Sequence, residues 1–111
     1  MLFRSNQNFH VKLIDFGSVA PIPTDGWLYS TFYGTVEYCS PEVLLGNCYA
    51  GPELEMWTLG ILLYVMIFNE NPFYGVEETL QCQLRPPCSA SPPCMELMKK
   101  LLAKGDFMAL E

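Results

Sequence analysis

The stretch that decides the fold is WTLGILLYVMIF, residues 57–68, in which only Thr58 and Gly60 interrupt a run of apolar side chains. Its length and its good helix formers, Leu and Met, favour a helix over a strand, the alternative for a short apolar run. A helix of this length extends over only ~18 Å, well short of the ~30 Å hydrocarbon core of a bilayer. Because a helix that is apolar all round is buried all round, the stretch predicts the enclosed central helix of a globular domain.

The composition bounds the class of protein. The chain has 111 residues, half of them apolar, and a formal net charge of −6. These values are typical of one globular domain, or part of one, and not of a disordered chain. Lys99 and Lys100 are the only adjacent cations, so we expect no nucleic-acid partner. The amino end lacks the apolar core of a signal peptide and no apolar run reaches transmembrane length, so we expect no membrane partner.

The cysteines leave two interpretations. Cys82, Cys88 and Cys94 recur at an even spacing that could belong to a metal site. Prolines interrupt the series and His10 is the only histidine, which disfavours zinc. Five cysteines without a CxxC pair are typical of reduced thiols in a cytoplasmic or nuclear protein.

The first part of the chain predicts a short hairpin followed by a long irregular segment. Phe9–Ile14 is rich in branched residues and predicts a strand, and the turn residues Asn6–Asn8 precede it. Asp15-Phe16-Gly17 follows at the strand's end, where the glycine permits a sharp change of backbone direction. Residues 18–34 are irregular but contain several aromatic residues, so we expect part of this segment to pack on the rest of the chain.

Helices dominate the remainder. Ser40 is a suitable N-cap for a short helix within residues 38–45, with Pro41 at its first position and Glu42 in its first turn. Val76–Gln83 predicts a short amphipathic helix, and Ser91 with Pro92 predicts the start of a helix from about Pro93 to Ala103. The fold class is therefore mainly α, with one short β-hairpin and a buried central helix.

The order of four motifs resembles the C-terminal lobe of a eukaryotic protein kinase. These motifs are KLIDFG (12–17), GTVEYCSPE (34–42), EMWTLGILLY (55–64) and NPF (71–73). Gly34-Thr35 ahead of Tyr38 resembles the serine/threonine class, and the Glu-Met-Trp sequence at Glu55 is similar to that of PAS-domain-containing serine/threonine kinases. The resemblance implies that residues 1–111 are a partial kinase domain comprising the Asp-Phe-Gly strand, the activation segment, the central helix and the two helices after it.

The resemblance also implies roles for the Asp-Phe-Gly motif and the activation segment. Asp15 matches the carboxylate that binds Mg²⁺ against the ATP phosphates. Phe16 matches a packed spine residue and Gly17 the hinge of the motif. Residues 18–40 then form the activation segment, and three of its hydroxyl residues are candidate phosphorylation sites: Thr24, Ser30 and Thr31, the last being the best placed.

Two further runs match the surface on which a kinase holds its protein substrate. Gly34 and Thr35 match the substrate-docking loop, where the threonine hydroxyl bonds the catalytic aspartate. Ser40, Pro41 and Glu42 match the anchor of the activation segment, with Ser in place of the usual Ala. In the family this glutamate pairs with an arginine further along the lobe. Trp57 and Gly60 match positions in the central helix that let other elements pack closely.

Several parts that phosphoryl transfer needs have no match in this chain. It contains no glycine-rich loop, no strand lysine and no His-Arg-Asp base, so we assign no catalytic residue. We expect the N-lobe, the catalytic loop and the last helices to lie outside it, and the fragment alone to be inactive and to bind neither ATP nor Mg²⁺. Its partners would be the protein substrates or regulators of the parent kinase. Two alternatives stay open: a non-catalytic, pseudokinase-like module that keeps the docking surface, and an unrelated small helical protein.

Overall fold

The computed structural model of the chain describes residues 2–4, 10–26 and 28–104, with the backbone alone for residues 2–4. Within these ranges the chain forms two short strands, β1 and β2, and four α-helices, α1 to α4. Their bounds are Leu2–Arg4 for β1, Val11–Leu13 for β2, Pro41–Leu44 for α1, Pro52–Phe68 for α2, Val76–Gln81 for α3 and Pro92–Leu101 for α4. Single 3₁₀ turns occur at Phe16–Ser18 and Val36–Tyr38. The described part is thus mainly helical, as the sequence predicts.

Strands β1 and β2 pair antiparallel, with Leu2 opposite Leu13 and Arg4 opposite Val11. The strand expected over residues 9–14 is therefore shorter in the structure, and every residue of β2 is exposed. The turn expected at Asn6–Asn8 lies outside the described residues.

Helix α2 is the longest element and carries most of the core. Gly51, with φ of 121°, precedes it, and Pro52 occupies its first turn, where a missing N–H costs no hydrogen bond. The buried face of α2 packs on the turn after the helix and on α4. The shared core comprises Trp57, Ile61, Tyr64, Phe68, Phe73, Met98 and Leu102.

Close approach of α2 and α4 depends on Gly60. A Cβ built on Gly60 would lie 2.8 Å from Leu102 Cδ2 and 2.9 Å from Leu101 Cβ, distances shorter than ordinary van der Waals contact. Gly60 therefore lets α2 and α4 pack closely, which is the structural role expected for it.

The described part of the molecule covers one face of α2 and leaves another exposed. Leu59, Met66 and Ile67 are 46%, 73% and 40% exposed. Met66 and Ile67 lie seven and eight residues after Leu59, so the three side chains form one stripe on the helix. The core residues given above cover only the opposite face, and this apolar stripe is the surface expected if the chain is part of a larger domain.

Candidate functional site

Ile14 follows β2, and Asp15 comes directly after Ile14. Asp15 has a left-handed backbone conformation, with φ of 66° and ψ of 70°. This conformation is uncommon for a residue other than glycine, and it is most readily tolerated by Asn and Asp. It ends the extended chain and starts the 3₁₀ turn of residues 16–18. The carboxylate is exposed, so a cation can reach it.

The match of Phe16 to a packed spine residue stays a prediction. The Phe16 side chain is 63% exposed, so no core among the described residues covers it. Gly17 follows with a backbone that would place a Cβ 3.7 Å from Asp15 Oδ1, an ordinary contact distance. The backbone turn at this motif is produced at Asp15, and the hinge role of Gly17 stays a prediction.

The irregular segment is tied to the chain ahead of α2 by two tyrosines. The Tyr29 N–H donates to the Tyr49 carbonyl at 2.7 Å, and the Tyr49 N–H donates to the Tyr29 carbonyl at 2.9 Å. Their ring centroids are 5.8 Å apart. The Tyr49 hydroxyl also donates to the Thr31 carbonyl at 2.7 Å. Burial raises the pKa of the Tyr49 hydroxyl.

The three candidate phosphorylation sites are all accessible. Thr24, Ser30 and Thr31 are exposed. The Thr24 hydroxyl donates to Asp25 Oδ1 at 3.2 Å, whereas Thr31 is held through its backbone carbonyl. The side chain of Thr31 therefore stays accessible while the backbone around it is fixed.

Gly34 and Thr35 lead into the 3₁₀ turn of residues 36–38. The Phe32 ring folds over Gly34 so closely that a Cβ there would lie 2.6 Å from Phe32 Cζ. The glycine thus allows an aromatic side chain to cover the backbone at this point. Thr35 is the N-cap of the turn, and its carbonyl accepts the Tyr38 N–H at 3.0 Å.

Ser40 and Pro41, with Cys39 before them, are more deeply buried than residues 10–26 and 28–38. Ser40 is 3% exposed and Pro41 is among the fully buried side chains, whereas Glu42 is half-buried. Ser40 is the N-cap of α1, as expected, although its side chain makes no capping hydrogen bond. Helix α1 packs against α3. Burial, followed by the nearby Glu42 carboxylate, raises the pKa of the Cys82 thiol.

A side-chain cap that the sequence analysis missed precedes α2. Glu53 Oε1 accepts the Ala50 N–H at 2.5 Å and Glu53 Oε2 accepts the Gly51 N–H at 3.0 Å. The sequence did contain a signal for this cap, because Glu53 comes two residues after Gly51, the glycine that opens the helix. From that position a carboxylate can reach back to the free N–H groups. This cap fixes the turn that carries Tyr49 and so supports the irregular segment indirectly.

The structure keeps the predicted site residues in two groups. Gly34, Thr35 and Ser40 to Glu42 belong to one continuous run. Within residues 10–26 and 28–104, no hydrogen bond or ion pair joins Asp15 to that run. Any joint action of the two groups depends on ligands or on further chain.

Asp15 fits one ligand position of a Mg²⁺ ion bound to phosphates. Mg²⁺ in nucleotide sites is held by one or two carboxylates together with the substrate phosphates and water. Among the described residues no three His, Cys, Asp or Glu side chains cluster as a metal site. The described residues therefore offer one hard oxygen ligand there, the Asp15 carboxylate, and no complete cage.

No helix in the described ranges has the length and apolar content to cross a bilayer.

Comparison with known proteins identifies the family. The family model for the protein kinase domain matches residues 1–106. The PAS domain-containing serine/threonine-protein kinase of Mus musculus is 55% identical over 96 residues, which are 86% of this chain and 7% of the mouse protein. The serine/threonine-protein kinase PSK2 of Saccharomyces cerevisiae is 44% identical over 96 residues, 85% of this chain and 8% of PSK2.

A third relative has a similar identity to this chain and matches a similar share of it. The serine/threonine-protein kinase ppk6 of Schizosaccharomyces pombe is 43% identical over 94 residues, 85% of this chain and 12% of ppk6. The chain therefore spans only a small part of the length of each of these relatives. With most of its residues matched by the family model, this chain belongs to the protein kinase domain family.

Proposed function

We propose that the protein containing these residues transfers the γ-phosphate of ATP to serine or threonine hydroxyls of other proteins. The observation that carries the proposal is the match to three serine/threonine-protein kinases at 43–55% identity over 94–96 residues. In this proposal the chain supplies the metal-binding and substrate-holding half of the site. The nucleotide cradle and the proton acceptor belong to other parts of the protein.

Asp15 is the residue of this chain that acts on the nucleotide. A Mg²⁺ ion bound there would neutralise negative charge on the phosphates. The left-handed backbone at Asp15 turns the chain away from the direction of β2 and leaves the carboxylate exposed. An exposed oxygen ligand at a fixed strand end is suited to this role because it is accessible yet attached to a paired strand.

The run from Gly34 to Glu42 holds the protein substrate. Thr35 offers a hydroxyl beside the acceptor, and the Phe32 ring over Gly34 limits how the backbone there can move. Buried Ser40 and Pro41 anchor the end of the activation segment to the helical core. Thr31, exposed and held through its carbonyl by Tyr49, is the favoured position for a regulatory phosphate.

A chimaera tests the proposal. Residues 10–104 replace the matching segment in the kinase domain of the mouse relative, and transfer of labelled γ-phosphate to a serine peptide is measured beside a matched tyrosine peptide. We expect phosphorylation of the serine peptide in excess over the tyrosine peptide. A folded, ATP-binding chimaera that phosphorylates neither peptide, or tyrosine alone, would contradict the assignment.

We also propose that the 111-residue chain does not transfer phosphate by itself. It has no glycine-rich loop, strand lysine or His-Arg-Asp triplet, and each of these parts positions or neutralises a reacting group. The test is incubation of the purified chain with labelled ATP and Mg²⁺. Mg²⁺-dependent labelling of the chain or of an added substrate would overturn this part of the proposal.

A second candidate function is a non-catalytic binding module. The core shared by α2, the turn after it and α4, with Ile61, Tyr64, Met98 and Leu102 at most 1% exposed, favours it, since such a core could hold the docking surface without the rest of the domain. The observation that separates this function from the first is the behaviour of the chain alone. A monomer that unfolds cooperatively supports a module, and a chain that does not fold by itself excludes it.

A further inference from the structure

The chain contains two Ser-Pro dipeptides, Ser40-Pro41 and Ser91-Pro92. Each serine is the N-cap of a helix, Ser40 of α1 and Ser91 of α4. The backbone angles φ and ψ are −72° and 160° at Ser40 and −59° and 145° at Ser91, both close to polyproline II, which a following proline favours. The two sites therefore match in local sequence and in local backbone.

Burial separates the two serines. Ser40 is 3% exposed and Pro41 is fully buried, whereas Ser91, Pro92 and Pro93 are all exposed. The Ser91 side chain makes no capping hydrogen bond, and no other residue of the described part bonds its hydroxyl. An enzyme that recognises the dipeptide therefore has access to the Ser91 hydroxyl, while the Ser40 hydroxyl is enclosed.

The chain ahead of Ser91 has the form that a modifying enzyme needs in its substrate. Residues 83–91, which connect α3 to α4, form neither helix nor strand, and most of them are exposed. An enzyme must enclose several residues beside the reacting hydroxyl, and an exposed irregular segment allows this without loss of buried packing.

The chain after Ser91 is held by few hydrogen bonds. Pro92 and Pro93 have no N–H, so the first hydrogen bond of α4 is the one that the Met95 N–H donates to the Ser91 carbonyl at 3.0 Å. Opening that bond frees the dipeptide and leaves Met98, the buried residue of α4, in the core. An enzyme can therefore bind the dipeptide while α4 stays packed on α2.

We propose that Ser91 is phosphorylated by a proline-directed serine/threonine kinase. Such an enzyme selects proline after the serine, a residue that leaves no N–H unpaired and has its φ already fixed. The Ser91 Oγ attacks the γ-phosphorus of ATP, the bond from that phosphorus to the β,γ-bridging oxygen breaks, ADP leaves, and the hydroxyl proton passes to a carboxylate of the acting kinase. This chain is the substrate and not the catalyst of that step, so the site stands or falls separately from the function proposed above.

The fold tolerates the product of this reaction. A phosphoserine carries a charge of about −1.5 to −2 near pH 7, and at position 91 it would lie at the amino end of α4. The helix dipole favours negative charge at that end, and the first turn of α4 has no acidic side chain to repel it. The phosphate is therefore compatible with the helix that Ser91 caps.

The test is incubation of the full chain with ATP, Mg²⁺ and a mitogen-activated protein kinase, which is a proline-directed enzyme. Mass spectrometry locates the phosphate and gives the rate at each serine. Synthetic peptides of residues 35–46 and 86–97 give the rate for each dipeptide outside the fold. The matched variants are Pro92→Ala, which keeps the serine and removes the proline, and Ser89→Ala, which removes a neighbouring exposed serine.

We expect Ser91 in the chain to be phosphorylated within about threefold of its peptide rate, and Ser40 at least about tenfold more slowly than its own peptide. Pro92→Ala should slow phosphorylation of Ser91 at least about tenfold, whereas Ser89→Ala should leave the rate unchanged. Absence of phosphate at Ser91, in the chain or in its peptide, would overturn the site, and so would equal protection of the two serines by the fold. An undiminished rate in Pro92→Ala would overturn the assignment to a proline-directed enzyme.

Discussion

Gly60 sets how closely two helices of the molecule approach each other. With no side chain there, Leu101 and Leu102 at the end of α4 lie against the backbone of α2, where a Cβ would meet carbon atoms at 2.8–2.9 Å. The same principle acts at Gly34, which the Phe32 ring covers. In both places the absence of one carbon atom is what the packing requires.

We predict that Gly60→Ala destabilises the chain by about 1–3 kcal/mol, because the added methyl group overpacks the α2–α4 contact. The measurement is urea denaturation followed by circular dichroism. Met66→Ala on the same helix is the control, since Met66 is 73% exposed and surface changes usually stay within about 0.5 kcal/mol. Equal stability of the Gly60→Ala variant and the parent would show that the close packing does not matter.

The structural roles of some single residues could be predicted from the sequence, and those of others could not. Ser40 as an N-cap and Pro41 at a first helical position follow from local rules on caps, and Gly60 as a close contact follows from the kinase resemblance. The hydrogen bonds of Tyr49 to Tyr29 and Thr31 do not, because they join residues 18 to 20 positions apart in an irregular segment.

Which segments form helices or strands was predicted more reliably than the residues at which those helices and strands begin and end. Helix α2 begins at Pro52, five residues before the apolar run, because Pro52 and the Glu53 side-chain cap start it in a polar stretch. Its exposed stripe does not follow from the apolar run itself, since the sequence pattern indicates what a helix needs and not what the rest of the chain provides. The bounds of α3 and α4 differ from expectation by up to two residues at their ends, which is usual where helices fray.

Residues 28–33 belong to the proposed activation segment and are tied to the chain ahead of α2 by the hydrogen bonds between Tyr29 and Tyr49 and from Tyr49 to Thr31. We predict that Tyr49→Phe weakens this attachment locally, because the hydrogen bond from the Tyr49 hydroxyl to the Thr31 carbonyl is lost, a change of about 0.5–1.5 kcal/mol. Amide hydrogen exchange should become faster in residues 28–33 and stay unchanged in α2 and α4. Tyr33→Phe is the control, as Tyr33 is 74% exposed. Unchanged exchange in residues 28–33 would show that this hydrogen bond does not hold the segment.

The whole molecule presents one apolar stripe that its described residues leave uncovered, formed by Leu59, Met66 and Ile67. Large exposed apolar patches are typical of surfaces that contact other protein. The family assignment supplies a reason, because a kinase domain is longer than this chain and the chain spans 7–12% of the relatives it was compared with.

We predict that the 111-residue chain self-associates through this stripe. The variant Leu59→Lys with Met66→Lys should reduce association by removing apolar surface, as measured by sedimentation velocity over a range of concentrations. Glu77→Lys makes the same change in net charge on an exposed residue of α3 and should leave association unchanged. If both variants reduce association equally, net charge and not the stripe controls it.

The most direct test of the central claim is the phosphoryl-transfer rate of the chimaera with Asp15→Asn. If Asp15 holds Mg²⁺ against the phosphates, the loss of its charge removes several kcal/mol of transition-state stabilisation, a fall in rate of about 10²-fold or more. Asp25→Asn, in an exposed bend of the irregular segment, should leave the rate within a factor of about two. A chimaera whose rate is unchanged by Asp15→Asn would contradict the claim that this chain carries the metal-binding half of a kinase site.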